Sequence, residues 1–372
     1  MKRSVRAVVF LMSLVAAVAV SAWQAPYTLN IYVIDVEGGK ATLVVSPSME
    51  SLLIDTGNIG EGARRDAGRI LAAARDAGLR RVDHLVTTHW HKDHIGAMAL
   101  VAEHLPIMEF IDHGANVQRD PPVDAFLQET YPALHRKSRH TIARAGDSIQ
   151  VSGLEVRVVT SAGESIRTGW TGIDAPNSHC QGFTIHPTDI TENAKSIGLH
   201  VTFGRFRVVD LGDVTVNQEF ELMCPRNPIG TVDLFMMSRH GQSGSNSALL
   251  VHALEPRVAI MNNGTRKGGQ PDVMSVIHSS PGLEDLWQLH LSELSGQEFS
   301  PPGLFIANLE DEVRTTVALS PIPTPPRGEA LPASAVHDGP AHWIRIVARR
   351  DGSFSVTNGR NGFSKTYKAR TR

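Results

Sequence analysis

Thr88-His89-Trp90-His91-Lys92-Asp93-His94-Ile95-Gly96 is the stretch whose reading decides the fold. Within six positions it carries four side chains able to bind a metal: His89, His91, Asp93 and His94. Upstream, residues 82–87 have the apolar run of a short strand, and residues 95–105 have the period of a helix. The cluster therefore falls on a loop where a strand hands over to a helix. Imidazole suits zinc and related ions, and a carboxylate can serve a second ion nearby. On an extended loop alternate residues share a side, so His89 and His91 can meet one ion. Asp93 and His94 are adjacent and diverge, which suits another. A lone histidine at this place reads as a helix cap, but the pattern H-x-H-x-D-H reads as a metal site.

The chain around it is that of a folded globular protein rather than a polyelectrolyte. Its 372 residues, 41% hydrophobic and 20% charged, are enough for one large α/β domain with a substantial core. Lys2, Arg3 and Arg6 precede an apolar run over residues 7–20, followed by Ser21 and Ala22. That is the pattern of a secretory signal peptide, residues 1–25, cleaved after Ala22 or Ala25. An exported protein is expected, periplasmic or extracellular, with no stable membrane span after cleavage. Cleavage removes three basic residues and takes the formal charge from −2 to −5, which argues against a globally basic nucleic-acid binder. A nucleic acid stays open as a substrate. Two cysteines, Cys180 and Cys224, are too few for a disulfide scaffold but permit one bridge in an exported protein. Nothing in the sequence sets the oligomeric state.

In chain order, residues 29–36, 41–45 and 51–54 read as strands, the last ending in Asp55-Thr56-Gly57. Ala63, Ala67, Ile70, Leu71 and Ala74 mark one face of a helix stopped by Gly78. After the metal loop, residues 123–134 are helix-like and two strands fall within residues 147–159. Residues 162–193 lack periodicity and form a long loop expected to border the site. Residues 196–203 and 206–211 alternate as a strand pair about Gly204-Arg205 and end in Gly212-Asp213, the layout already seen at Asp55. Residues 232–237 lead into Ser238-Arg239-His240-Gly241, and residues 258–261 into Asn262-Asn263-Gly264. A helix is expected over residues 273–289. Prolines at 321, 323, 325, 326 and 332 mark a linker, residues 321–334, between a main domain at 26–320 and a small β-hairpin appendage at 335–372, turned at Asp351-Gly352.

These residues resemble the metallo-β-lactamase superfamily, whose fold is an αββα four-layer sandwich. Within it the chain is similar to the metal-dependent domain of ComEC-type DNA-uptake proteins. The likeness rests on Val36-Glu37-Gly38-Gly39-Lys40-Ala41, His89 to Gly96, Asn193-Ala194-Lys195-Ser196-Ile197, Leu211-Gly212-Asp213 and Arg239-His240-Gly241, in that order. It implies a mixed α/β protein and a secreted, metal-dependent hydrolase with two zinc ions, for which manganese or iron could also serve. The implied metal ligands are His89, His91, Asp93, His94, Asp213 and His240. Asp213 would bridge the ions, and Asp93 would both ligate and hold the attacking water in line, making these two the catalytic carboxylates. Asp55 would orient the metal loop from beneath, the alternative being a simple turn residue. The implied substrate is a phosphoester or phosphodiester, with Arg239, Arg266 and Lys267 near its phosphate. A lactone or β-lactam is the alternative carbonyl substrate, and a metal-binding module without turnover the alternative to an enzyme.

The chain also departs from the pattern. Arg239 and Gln242 stand where the family has histidine and serine, Lys40 where it has an acid, and Gln270-Pro271 where it has His-Pro. No histidine follows the strand near residues 156–160, so the first ion is expected to take a water there or to recruit His179 from the long loop. His113 is a weaker candidate for the same place.

Overall fold

The computed structural model describes residues 27–169, 174–309 and 341–371. The signal peptide and the proline-rich linker expected from the sequence lie outside the described residues. Alternation of side chains along the strands dictates the architecture. In β1 (Leu29–Val33), Leu29, Ile31 and Val33 face one apolar cluster while Tyr32 faces another. Such a strand can be satisfied only inside a layered fold, with cover on both faces.

The first sheet continues through β2 (Thr42–Val45), β3 (Ser51–Ile54), β4 (His84–Val86), β5 (Glu109–Asp112) and β6 (Arg139–Ile142). The second opens with β7 (Ser148–Ile149) and β8 (Glu155–Ser161), the latter flanked by the short β9 (Glu164–Ser165). Next along the chain are β10 (Ala175–Pro176), β11 (Gly198–Phe203), β12 (Phe206–Asp210), β13 (Arg226–Asn227), β14 (Leu234–Met236), β15 (Val258–Met261), β16 (Asp285–His290) and β17 (Ile306–Asn308). The tail supplies β18 (Ile344–Ala348), β19 (Phe354–Asn358) and β20 (Ser364–Tyr367). Nine strands form the first sheet in the order β20-β19-β18-β1-β2-β3-β4-β5-β6, and the second runs β17-β16-β15-β14-β12-β11-β8-β7, with β10 and β13 pairing apart. One apolar cluster lies between the sheets, with Val44, Ile54 and Val86 meeting Val158, Val208 and Ile260. A second lies under helices α1 (Gly62–Asp76), α2 (Lys92–Ile95) and α3 (Met98–His104), and a third under helices Val216–Met223, Ala248–Leu254 and Pro271–His278. The result is helix, sheet, sheet, helix, the expected αββα sandwich.

Two expectations change. Residues 273–289 do not form one helix: Pro271–His278 is helical, and beyond Pro281-Gly282 the chain becomes β16, parallel to β15. An apolar run of that length fits a buried strand as well as a helix, and Trp287, fully buried between the sheets, decides for the strand. The expected C-terminal hairpin exists, with Asp351-Gly352 at its turn, but it is not an appendage. β18 pairs antiparallel with β1, from Leu29 opposite Ala348 to Val33 opposite Ile344, and so covers what would be an open sheet edge. Ile344, Ile346, Phe354, Val356 and Tyr367 enter the central core. The Trp287 indole donates to the Tyr367 hydroxyl at 3.0 Å, and that hydroxyl donates to Asp285 at 2.7 Å, tying the tail to the second sheet.

The functional consequence of this topology is positional. Parallel strands β3, β4, β12, β14 and β15 all end at one rim of the sandwich, and open α/β sheets bind ligands beyond the carboxyl ends of such strands.

Candidate metal centre

Every element at that rim brings a side chain to one spot. The loop after β4 runs through His89 and His91 into the short α2, which carries Asp93 and His94. Gly96 follows because nothing larger fits: a Cβ there would stand 1.8 Å from the Asn58 backbone carbon. Backbone bonds from Thr56 N to His94 O, 2.7 Å, and from Lys40 N to Asp93 O, 3.0 Å, seat α2 against the first sheet. From the second sheet, Asp213 follows β12 and His240 follows β14. Arg239 and His240 adopt left-handed backbone conformations, φ 50° and 57°, and each costs on the order of 1–3 kcal/mol. The turn is held by Arg239 N donating to Gly212 O at 3.1 Å and by the close-packed loop at Gly268, where a Cβ would stand 1.8 Å from His240 O.

The geometry could hold a metal ion. Asp93 Oδ2 lies 3.6 Å from His94 Nε2 and 3.2 Å from His240 Nε2. Asp213 Oδ2 lies 3.6 Å from His94 Nε2, 3.4 Å from His240 Nε2 and 4.0 Å from His89 Nε2. Four donors around one tetrahedral zinc, with bonds of about 2.0 Å, stand roughly 3.3 Å apart. His94 Nε2, His240 Nε2 and Asp213 Oδ1 are buried with no hydrogen-bond partner. Buried polar atoms left bare are costly unless something else satisfies them, and a cation fits all three. The residues therefore suit the metal that the sequence pattern implies. His89, His94 and Asp213 form one potential ligand group, and Asp93, His94 and His240 another.

Electrostatics point the same way. Burial would raise the Asp93 and Asp213 carboxyls, yet Lys267, His94 and His240 hold Asp93, and His240 and His94 hold Asp213, well below the usual carboxylate range. Burial, then the neighbouring His94, pushes His89 well below its ordinary value, so it stands as a neutral donor. Burial would lower His94 too, but Asp213, Asp55 and Asp93 carry it up to about 10.

The surrounding residues fix the candidate ligands. Asp55, itself at φ 62°, accepts from Thr88 N at 2.7 Å, from Thr88 Oγ1 at 2.7 Å and pairs with His94 Nδ1 at 2.8 Å. This leaves His94 Nε2 facing the centre and places Asp55 beneath the loop. His240 Nδ1 lies 3.2 Å from Asn262 O, which orients its Nε2 likewise. His91 stands at the margin: its Nδ1 lies 2.9 Å from His89 Nε2, and its Nε2 lies 2.9 Å from Gln118 Oε1.

Of the other expected residues, Lys267 reaches the site, pairing with Asp93 Oδ2. Arg266 pairs with Glu293 at 2.7 Å instead, and the Arg239 guanidinium donates to Ser243 O at 3.1 Å. His179 does not join the centre. The disulfide Cys180–Cys224 anchors its segment on the helical face of the second sheet, where the ring packs edge-on against His252. His113 pairs with Glu192 at 2.8 Å rather than with a ligand. Two partners escaped the sequence reading. Gln118 sits in a polar stretch with no periodic signal. Lys40 is buried in an ion pair with Asp210, 170 residues away, which explains how a lysine replaces an acid in the first turn.

A family model described as the metallo-beta-lactamase superfamily matches residues 34–184, which include the first turn, Asp55 and the metal loop. Similar solved structures include CmlA, a diiron β-hydroxylase from Streptomyces venezuelae, at 15% identity, covering 64% of this chain and 45% of that one, TM-score 0.38. A variant of the same hydroxylase gives 14% identity, 72% and 53% coverage and TM-score 0.42, so this chain spans about half of CmlA. A diphosphatase from the PhnP family aligns at 13% identity, over 63% of this chain and 86% of that one, TM-score 0.35. A metal-dependent hydrolase of the β-lactamase superfamily aligns at 12% identity, over 71% and 97%, TM-score 0.41. Comparison with curated proteins gives no match. Over residues 34–184, metal loop included, the chain is similar to the metallo-β-lactamase superfamily.

Proposed function

We propose that this protein is an exported metal-dependent hydrolase of phosphoesters, phosphodiesters foremost, with two zinc-like ions. The observation that carries the reading is the set of buried, unpartnered donors His94 Nε2, His240 Nε2 and Asp213 Oδ1 beside ionised Asp93. Two ions held there would lower the pKa of a shared water toward 7 and stabilise an in-line displacement. Asp213 would bridge them, and Asp93 would ligate one while aligning the water. Lys267, on the rim at Asp93, places a cation where a phosphate oxygen would approach. Likeness to the ComEC-type domain supports the choice of a phosphodiester, and nucleic acid falls within that class. Export is supported by the N-terminal pattern and by the Cys180–Cys224 disulfide, which fits an oxidising compartment. Among the described residues no helix is long and apolar enough to cross a membrane.

The test is a substrate panel on the metal-loaded mature protein: a chromogenic phosphodiester, a lactone and a β-lactam. The expected result is turnover of the phosphodiester, abolished by chelation and restored by zinc. Turnover of the lactone or β-lactam instead would replace the phosphoester reading. Tight metal binding without any turnover would favour a binding module.

A further inference from the structure

The two sides of the centre are unequally furnished. On one side, Asp93 and Asp213 each stand 3.2–3.6 Å from the Nε2 atoms of His94 and His240, whereas the other side has His89, His91 and a share of Asp213. One donor is missing there, and His179 does not supply it.

Residues 192–197, which enter β11, run along the metal loop. Ile197 N donates to Thr88 O at 2.8 Å, Ser196 Oγ lies 3.4 Å from His89 Nδ1, and Trp90 N donates to Glu192 Oε2 at 3.0 Å. Gln118 Oε1 joins the two segments, 2.9 Å from His91 Nε2 and 3.3 Å from Glu192 N. Most polar side chains at this junction are already engaged. Glu192 also accepts from Val117 N at 2.6 Å and pairs with His113 at 2.8 Å, and Ser196 Oγ accepts from Asp213 N at 3.1 Å. Asn193 differs: it is 7% exposed, and its Oδ1 is buried with no partner. A buried amide oxygen left bare costs on the order of 1–3 kcal/mol unless something takes its lone pairs. Asn262 Oδ1 is also bare, but Asn262 sits behind His240, its Nδ2 3.4 Å from that ring's Nδ1, on the other side of the centre.

We propose that Asn193, through its side-chain oxygen, is the third protein donor to the ion held by His89 and His91. The inference rests on the two-ion reading above. A neutral amide oxygen is a weaker ligand for zinc than imidazole, and it suits harder ions such as manganese. The chain should then bind its two ions in unequal steps, the weaker at the His89–His91 side.

Calorimetric titration of the demetallated full-length protein with zinc, with cobalt absorption spectra as a second readout, tests this. The wild type should show a tight and a weaker step. Asn193→Ala should keep the tight step and weaken the other about tenfold or more, changing the cobalt bands of the weaker site alone. Asn193→His should tighten that step, and it also serves if the alanine variant fails to fold. Unchanged binding of both ions in Asn193→Ala, or an unchanged weaker step in folded Asn193→His, overturns the role of Asn193 and leaves the metal centre standing. A wild type that binds one ion overturns it as well. A wild type that binds none overturns the metal reading itself.

Discussion

Asp55 and Asp213 occupy matching places in the two halves of the sandwich, one after β3 and the other after β12, and both are buried. Their surroundings are opposite. Asp55 is saturated: two donors from Thr88 and the Nδ1 of His94 fill its oxygens. Asp213 is bare: Oδ1 has no partner, and Oδ2 faces the Nε2 atoms of His89, His94 and His240 at 3.4–4.0 Å. A carboxylate whose lone pairs are spent on the loop can only position it, while one left bare among imidazoles is available to a cation. Sequence layout alone made the two aspartates look alike.

Removing Asp213 should break the comparison most severely. Asp213→Ala deletes the shared ligand, so hydrolytic activity should fall further than the roughly 10–100-fold typical of an outer-sphere partner. The fold should survive, since the side chain contributes nothing to the apolar clusters. Elemental analysis should show at least one ion lost, and equal activity at matched metal content would show that Asp213 is no ligand. Asp55→Ala should act through position. Metal affinity should drop about 10–100-fold, with part of the rate restored by excess metal. Loss that no metal concentration repairs would move Asp55 into the catalytic set.

Histidines outside the centre sharpen the contrast. His200 on β11 is buried, and burial, with Arg207 and Arg157 nearby, lowers it to about 4. Its folded value lies below the ordinary 6.5, so its contribution is present above pH 6.5 and lost as pH falls toward 4. The linkage amounts to up to about 3 kcal/mol. Urea unfolding at pH 7 and at pH 4.5 should show His200→Gln to be less acid-sensitive than wild type, and an equal loss in both would remove His200 from the account. His179→Ala should change neither metal content nor rate, because the ring packs on His252. A drop in metal occupancy would bring His179 back to the site.

What could be read from the sequence follows the range of the interactions. The metal loop was legible because its donors are consecutive, and the layers because β1 and β15 alternate or run apolar within a few residues. Asp213 and His240 were legible as strand-end residues. Partnerships over long separations were not: Lys40 with Asp210, β1 with β18, and Trp287 with Tyr367. His179 looked available because it lies in a polar loop, but the disulfide to Cys224 carries it to another face. Asn193 was visible only as part of a strand entry, since an orphaned oxygen is a property of packing and not of residue order.

The central claim is that His94, Asp213 and His240 are left short of partners because, together with Asp93, they hold metal. Elemental analysis of the mature protein, purified without chelators, tests it most directly. Close to two zinc-like ions per chain are expected, removed by a chelator together with activity. Protein that carries no tightly held transition metal, and takes up none from solution, would contradict it.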